Sequence, residues 1–304
     1  MLHSHLRPMS FGEILDSAFA VYRRHFVTFA VTTLIPLAPI GVVTALIVRS
    51  VVSGGGTPEQ AALTTFPVTM LATVGLLVMW AALARQVEQA WTGGEVSVGD
   101  GYRVGVRAFF PLLGATILSY LLMLVAFVGF GIVAALLVGI VAGVAAASGA
   151  GVEAGAGAAV IAGVVGLIVG VVALAVALLL FSALFGVLPA VVVERAGPIE
   201  AIRRSLALTK GARARVAGVV VVSTVIVFLP ALAVSFMTGG LAGMFDPGKV
   251  PTAGAMITQQ VASSIVGALT TPFLVAAFVL LYFDRRVRTE ALDVKLATDA
   301  LPSL

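Results

Sequence analysis

The chain has no cysteine in 304 residues. That excludes a disulfide framework, a thiolate nucleophile and a sulfur-ligated metal. It is also poor in charge: charged residues make up 11%, against about a quarter of an average soluble domain. Between Arg107 and Glu194 the only charged residue is Glu153. The three histidines, His3, His5 and His25, all lie outside the long apolar runs, and "HSH" offers at most two ligands where a zinc site takes three or four. No Asp or Glu falls inside those runs, which excludes an intramembrane carboxylate pair. The hydroxyls of Ser119, Ser182, Ser223 and Ser263 have no histidine or lysine beside them to act as a base and read as packing and hydrogen-bonding groups. No catalytic residue, metal or cofactor is expected, and no enzymatic activity.

What is present is apolar surface. Hydrophobic residues make up 60% of the chain, too much for the remaining polar residues to coat a globule. A helix needs roughly 20 predominantly apolar residues to cross the hydrocarbon core, and six segments qualify: 26–48, 63–84, 109–145, 158–193, 216–237 and 256–283. The third and fourth exceed a simple crossing and are joined by the Gly/Ala-rich "ASGAGVEAGAGAA". No cleaved signal peptide is read at "MLHSHLRPMS", so the first span is expected to serve as its own insertion signal. "GIVAG" (139–143) and "GLIVG" (166–170) match the small-residue packing motif of membrane helices. "GDGYRVG" (99–105) misses the spacing of a nucleotide-binding glycine loop, and no strand precedes it.

A net charge of +4 and a pI near 9.8 fit either a nucleic-acid binder or a membrane protein oriented by its basic loops. The apolar runs decide for the membrane and against a nucleic-acid partner. All of the 18 basic residues except Arg49 and Lys249 fall in the N-terminal segment, the second and fourth connections, or the C-terminal tail. The positive-inside rule then places both termini in the cytoplasm, in agreement with an even number of spans.

The segments that lead into the odd-numbered spans are alike: "SFGEILDSAFAVYRR", "SVGDGYRVGVRAFF" and "GPIEAIRRSLALTK". In the first two, Ser10 with Glu13 and Ser97 with Asp100 have the spacing of a capping box. In the third, Pro198 suits the first helical position and Glu200 the positive helix end. Apolar residues then recur at helical spacing: Phe11, Ile14, Leu15, Ala18 and Tyr22; Val98, Tyr102, Val106 and Phe109; Ile199, Ile202, Leu206 and Thr209. These read as short amphipathic helices at the membrane interface. The expected architecture is a single all-α transmembrane domain over 1–304, with three units, 10–92, 97–195 and 197–297, each an interfacial helix followed by two spans.

"LPAVVVERAGPIEAIRRSLALTKGARARVAGV", "LLYFDRRVRTEALDVKLA" and the opening "LRPMSFGEILDSAFAVYRRHF" resemble the glycerophosphoryl diester phosphodiesterase membrane domain family of bacteria and archaea. The resemblance implies a polytopic protein of a prokaryotic cytoplasmic membrane. It does not confer phosphodiesterase activity, because the hydrolase barrel fused to some members has no counterpart in these residues. It also implies a role as a structural or accessory component of the cell envelope linked to lipid homeostasis. The alternative is a permease for a small or lipid-like solute.

Two groups of residues are candidate sites. Arg23, Arg24, Arg203, Arg204, Lys210, Arg285 and Arg286 form a basic collar that either serves only to fix topology or also holds anionic lipid headgroups, at about 1 kcal/mol for each surface cation. Gln259, Gln260, Ser263, Ser264, Thr270 and Thr271 form the most polar interior stretch, which reads either as helix-to-helix hydrogen bonding or as the place where a cavity would be sought. Membrane lipids are the expected partners, and the pattern specifies no protein partner.

Overall fold

A computed structural model describes the backbone of residues 7–147, 152–238 and 253–291 and the side chains of most of them. His3, His5, Lys249, Lys295 and much of the Gly/Ala-rich connection lie outside the described residues. Those described form nine helices and no strand: α1 (Phe11–Arg24), α2 (Phe26–Ser53), α3 (Pro58–Thr92), α4 (Val98–Ala147), α5 (Val152–Ala183), α6 (Val187–Val193), α7 (Pro198–Thr209), α8 (Arg213–Met237) and α9 (Ala253–Glu290). Six stretches are long and apolar enough to cross a membrane: Phe26–Val51, Leu63–Thr92, Val98–Leu137, Gly163–Val193, Arg213–Met237 and Ile257–Glu290. The chain is therefore an all-α, multi-pass membrane helix bundle, as expected.

Helix α9 holds the bundle together. It packs against α2, α8, α3 and α1, and residues 272–285, "PFLVAAFVLLYFDR", are buried at every position. A helix apolar around its whole circumference is one enclosed by other helices. Its counterpart is the end of α3, where Met79, Leu83 and Val87 have almost no exposed surface. The outward parts of α4 and α5 are the opposite case: Leu121, Leu124, Leu137, Leu167 and Leu174 are exposed, which lipid tails accommodate at no cost in hydration.

The short helices gather at one end of the spans. There α1 lies against α9 and α8, and α7 against α4 and α6. Helix α1 starts with the expected capping box, in which the Ser10 hydroxyl accepts from Glu13 N (3.3 Å) and Glu13 Oε2 accepts from Ser10 N (2.6 Å). Gly211, at φ +79, separates α7 from α8 in a conformation that favours glycine.

Several expectations need correction. The second lead-in segment is not a separate interfacial helix, because α4 runs unbroken for 50 residues from Val98. Its buried face is Gly101, Gly105 and Ala108 rather than the expected set, and Val106 is exposed. A methyl group at Gly105 would sit 2.5 Å from the Val78 carbonyl oxygen, so this segment docks backbone to backbone on α3. In the third segment the buried residues are Ala201, Ile202, Ser205, Leu208 and Thr209, while Ile199 and Leu206 are exposed. The fourth span is broken between Ala183 and Val187, where the Ser205 hydroxyl accepts from Gly186 N (3.0 Å) and donates to the Ala183 carbonyl (2.7 Å). The glycines of "GIVAG" and "GLIVG" face open space among the described residues, and no close helix crossing is seen there.

Candidate functional site

Three polar clusters lie at the end of the bundle where the short helices gather. The first centres on Glu194, which caps α6. Arg204 of α7 donates to both its carboxylate oxygens at 2.9 Å. Arg286 of α9 lies 3.1 Å from Glu194 Oε1, and the Tyr282 hydroxyl donates to that same oxygen at 2.5 Å. Glu290 completes the group, pairing with Arg204 and Arg286. Bonds to Glu290 and Glu194 hold the Arg204 guanidinium pKa above its ordinary value, against the opposing effect of burial.

The second centres on Asp284, whose side chain is fully buried. Its Oδ1 accepts from Met9 N (2.8 Å), and Arg288 Nε donates to both its oxygens at 3.0 and 3.1 Å. Arg215 of α8 lies 3.5 Å from Oδ2. Arg215 and Arg288 also donate to the Met9 carbonyl, so the peptide groups of one N-terminal residue are held by α8 and α9 together. Next to it, Arg285 donates to the Leu208 carbonyl at 2.7 Å and is 6% exposed.

The third joins α2, α3 and α4. Pro36 has no N–H to give the Thr32 carbonyl one turn earlier, and the Tyr102 hydroxyl donates there instead at 2.7 Å. Fully buried Gln86 donates to the Thr32 hydroxyl at 2.8 Å. Asp100 turns its carboxylate to Arg85 (3.2 Å) and Gln89 (2.8 Å), so the second capping box forms only its hydroxyl half, Asp100 N to Ser97 Oγ at 3.5 Å.

These clusters divide the expected basic collar. Arg204 and Arg286 are tied into ion pairs, and Arg285 is buried on a backbone carbonyl, so it is not available to a lipid headgroup. Arg23, Arg24, Arg203 and Lys210 have no ion pair among the described residues, and all four are exposed. Around α1, Glu13 is held down to about pKa 2 by hydrogen bonds from the Ser10 backbone and from Arg7, the latter at 2.5 Å. His25 is held below its ordinary value by burial and by neighbouring Arg24.

The expected interior polar group is only partly assembled. Gln259 donates to Ser235 of α8 (2.8 Å) and to Ser263 (3.0 Å). Ser264 and Thr270 donate to carbonyls of their own helix at 2.9 and 2.8 Å. Ser264 also fills the space beside Gly41 of α2, where an added methyl would lie 2.9 Å from its hydroxyl. Gln260 lies alongside, while Thr271 has no side-chain bond among the described residues.

A cleft of about 440 Å³ lies where α1 meets α8 and α9, lined by Leu15, Phe19, Ile226, Pro230, Leu269 and Phe273, with Asp16, Tyr22 and Thr270 as its polar groups. A smaller one of about 250 Å³ lies between α4 and α6, lined by Arg107, Pro111, Val191 and Arg195 among others. The sequence reading missed both clefts and the buried Gln86 and Asp284. Asp284 sits one residue past the expected end of the sixth span, and the one sequence signal for Gln86 was "ARQVEQ", where amides accompany Arg85 and Glu88 just past the expected end of the second.

A family profile described as "Domain of unknown function (DUF7847)" matches residues 9–283, and the chain belongs to that family. No curated protein and no solved structure matches it.

Proposed function

We propose that this protein is a non-catalytic, lipid-binding accessory component of a prokaryotic cytoplasmic membrane, with both termini in the cytoplasm. The observation that carries this reading is the 440 Å³ cleft between α1, α8 and α9. Its walls are apolar, and it is closed on one side by an amphipathic helix, α1, at the end of two spans. An acyl chain entering there would gain van der Waals contact with Leu269 and Phe19. Arg23 and Arg24, which have no ion pair among the described residues, follow Tyr22 on the same helix, at the level expected of a headgroup. The charge distribution supports the orientation, and the resemblance to the glycerophosphoryl diester phosphodiesterase membrane domain family supports the link to lipid homeostasis.

The test fills the cleft. Leu269→Trp should fold and yet retain fewer lipids per chain in native mass spectrometry than the unsubstituted protein. An unchanged lipid complement would remove the proposal. The second reading, a permease, is favoured by one observation: Gln259 Oε1 is buried without a hydrogen-bond partner among the described residues, as a polar lining awaiting a solute would be. Transport of a polar solute lost in Gln259→Leu would favour it over lipid binding.

A further inference from the structure

The 250 Å³ cleft between α4 and α6 is distinct from the one that carries the functional reading. It brings together two arginines from separate elements, Arg107 on α4 and Arg195 just after α6, over a floor of Val104, Ala108, Val191 and Val192. Neither arginine has an ion pair among the described residues. Glu194, the carboxylate nearest Arg195 in the chain, is already engaged by Arg204, Arg286 and Tyr282. Two like charges share one cleft with no counter-ion among the described residues.

The backbone at Arg195 makes the arrangement more pointed. Arg195 has φ +56, the left-handed position that commonly follows a helix, and the Ala196 N–H closes the turn on the Ala190 carbonyl. Glycine is the usual residue there, since a side chain is strained in that conformation. The sequence holds an arginine instead, with glycine two residues later. A strained residue that lines a cleft points to function there. Two further features suit an anion that also carries a hydroxyl. Pro111 lines the cleft and has no N–H for the Arg107 carbonyl one turn back, leaving an acceptor. Helix α7 begins at Pro198, two residues past Ala196 of the cleft wall, with no side-chain cap at Gly197 and with Glu200 in its first turn; its positive end lies next to the cleft in the chain.

We infer that the α4–α6 cleft is a binding site for the phosphodiester group of an anionic phospholipid, with Arg107 and Arg195 on the phosphate oxygens and the valine floor against the adjoining glycerol and chain. Arginine forks suit phosphate oxygens in pairs. A zwitterionic choline headgroup would bring its own cation toward two guanidinium groups and is disfavoured. The inference rests on the lipid-binding reading above and names a second site and its headgroup chemistry.

The experiment compares the full chain with Arg107→Gln/Arg195→Gly in nanodiscs of equal phosphatidylglycerol and phosphatidylcholine, reading the lipids that remain bound after detergent extraction. Glycine fits φ +56 better than arginine, so misfolding does not confuse the result. The unsubstituted protein should retain phosphatidylglycerol in several-fold excess, and the double variant should fall to the bulk ratio with its melting temperature maintained. An enrichment that survives in the double variant overturns the site. So does stabilisation of the unsubstituted protein by inorganic phosphate without any phosphatidylglycerol enrichment, which would make it a free-phosphate site. Failure of the first proposal looks different: Leu269→Trp would leave the total lipid count unchanged, whatever the headgroup preference.

Discussion

Gly105 decides how closely α4 can approach α3. Its missing side chain lets the two backbones meet, and nothing flexible stands opposite, because the nearest atom to an added methyl is the Val78 carbonyl oxygen. Gly105→Ala can be accommodated only by moving one helix off the other. Overpacking of this kind costs about 1 to 3 kcal/mol, and the thermal midpoint of the purified protein should fall accordingly. Gly12→Ala is the control: an added methyl there meets nothing within 4 Å. Of the residues that matter in this way, the sequence displayed the glycines but not their neighbours. It showed 33 of them, and the two pairs that matched a packing motif are among those in open space.

Among the elements, the N-terminal segment is attached through the peptide groups of a single residue. Met9 is held on both sides of its peptide groups by Asp284, Arg215 and Arg288, and α1 follows directly. Removing the charge of a buried carboxylate leaves its cations uncompensated, at about 3 kcal/mol or more for a buried pair. Asp284→Asn should therefore release α1: amide hydrogen exchange across 9–24 should quicken, while the buried half of α9 around Leu280 stays protected. Equal acceleration throughout would mean that Asp284 supports the whole bundle instead. The lead-in helices were legible as amphipathic segments from their periodicity. Which of them would stand free was not, because that depends on the neighbour each meets: α1 and α7 pack side chain to backbone through ionic clusters, whereas the start of α4 merges into its span along a glycine face.

For the whole molecule, the distribution of basic residues predicts orientation, and the absence of native cysteine makes it directly measurable. Single cysteines at Arg49, beyond the end of the first expected span, and at Glu200, on α7, should behave oppositely toward a membrane-impermeant maleimide added to intact cells. Arg49→Cys should be labelled from outside, and Glu200→Cys only after lysis; the reverse pattern would invert the topology. The sequence by itself determined the all-α class, the number of spans and the asymmetry of charge, because each rests on a local property: twenty apolar residues in a row, or a cluster of arginines in one connection. The tertiary structure alone decided which charges are used internally and which remain free for a ligand. Met9 meets Asp284 across 275 residues, and Tyr282 meets Glu194 across 88. A charge finds its partner only when distant helices pack, and no local pattern encodes that meeting.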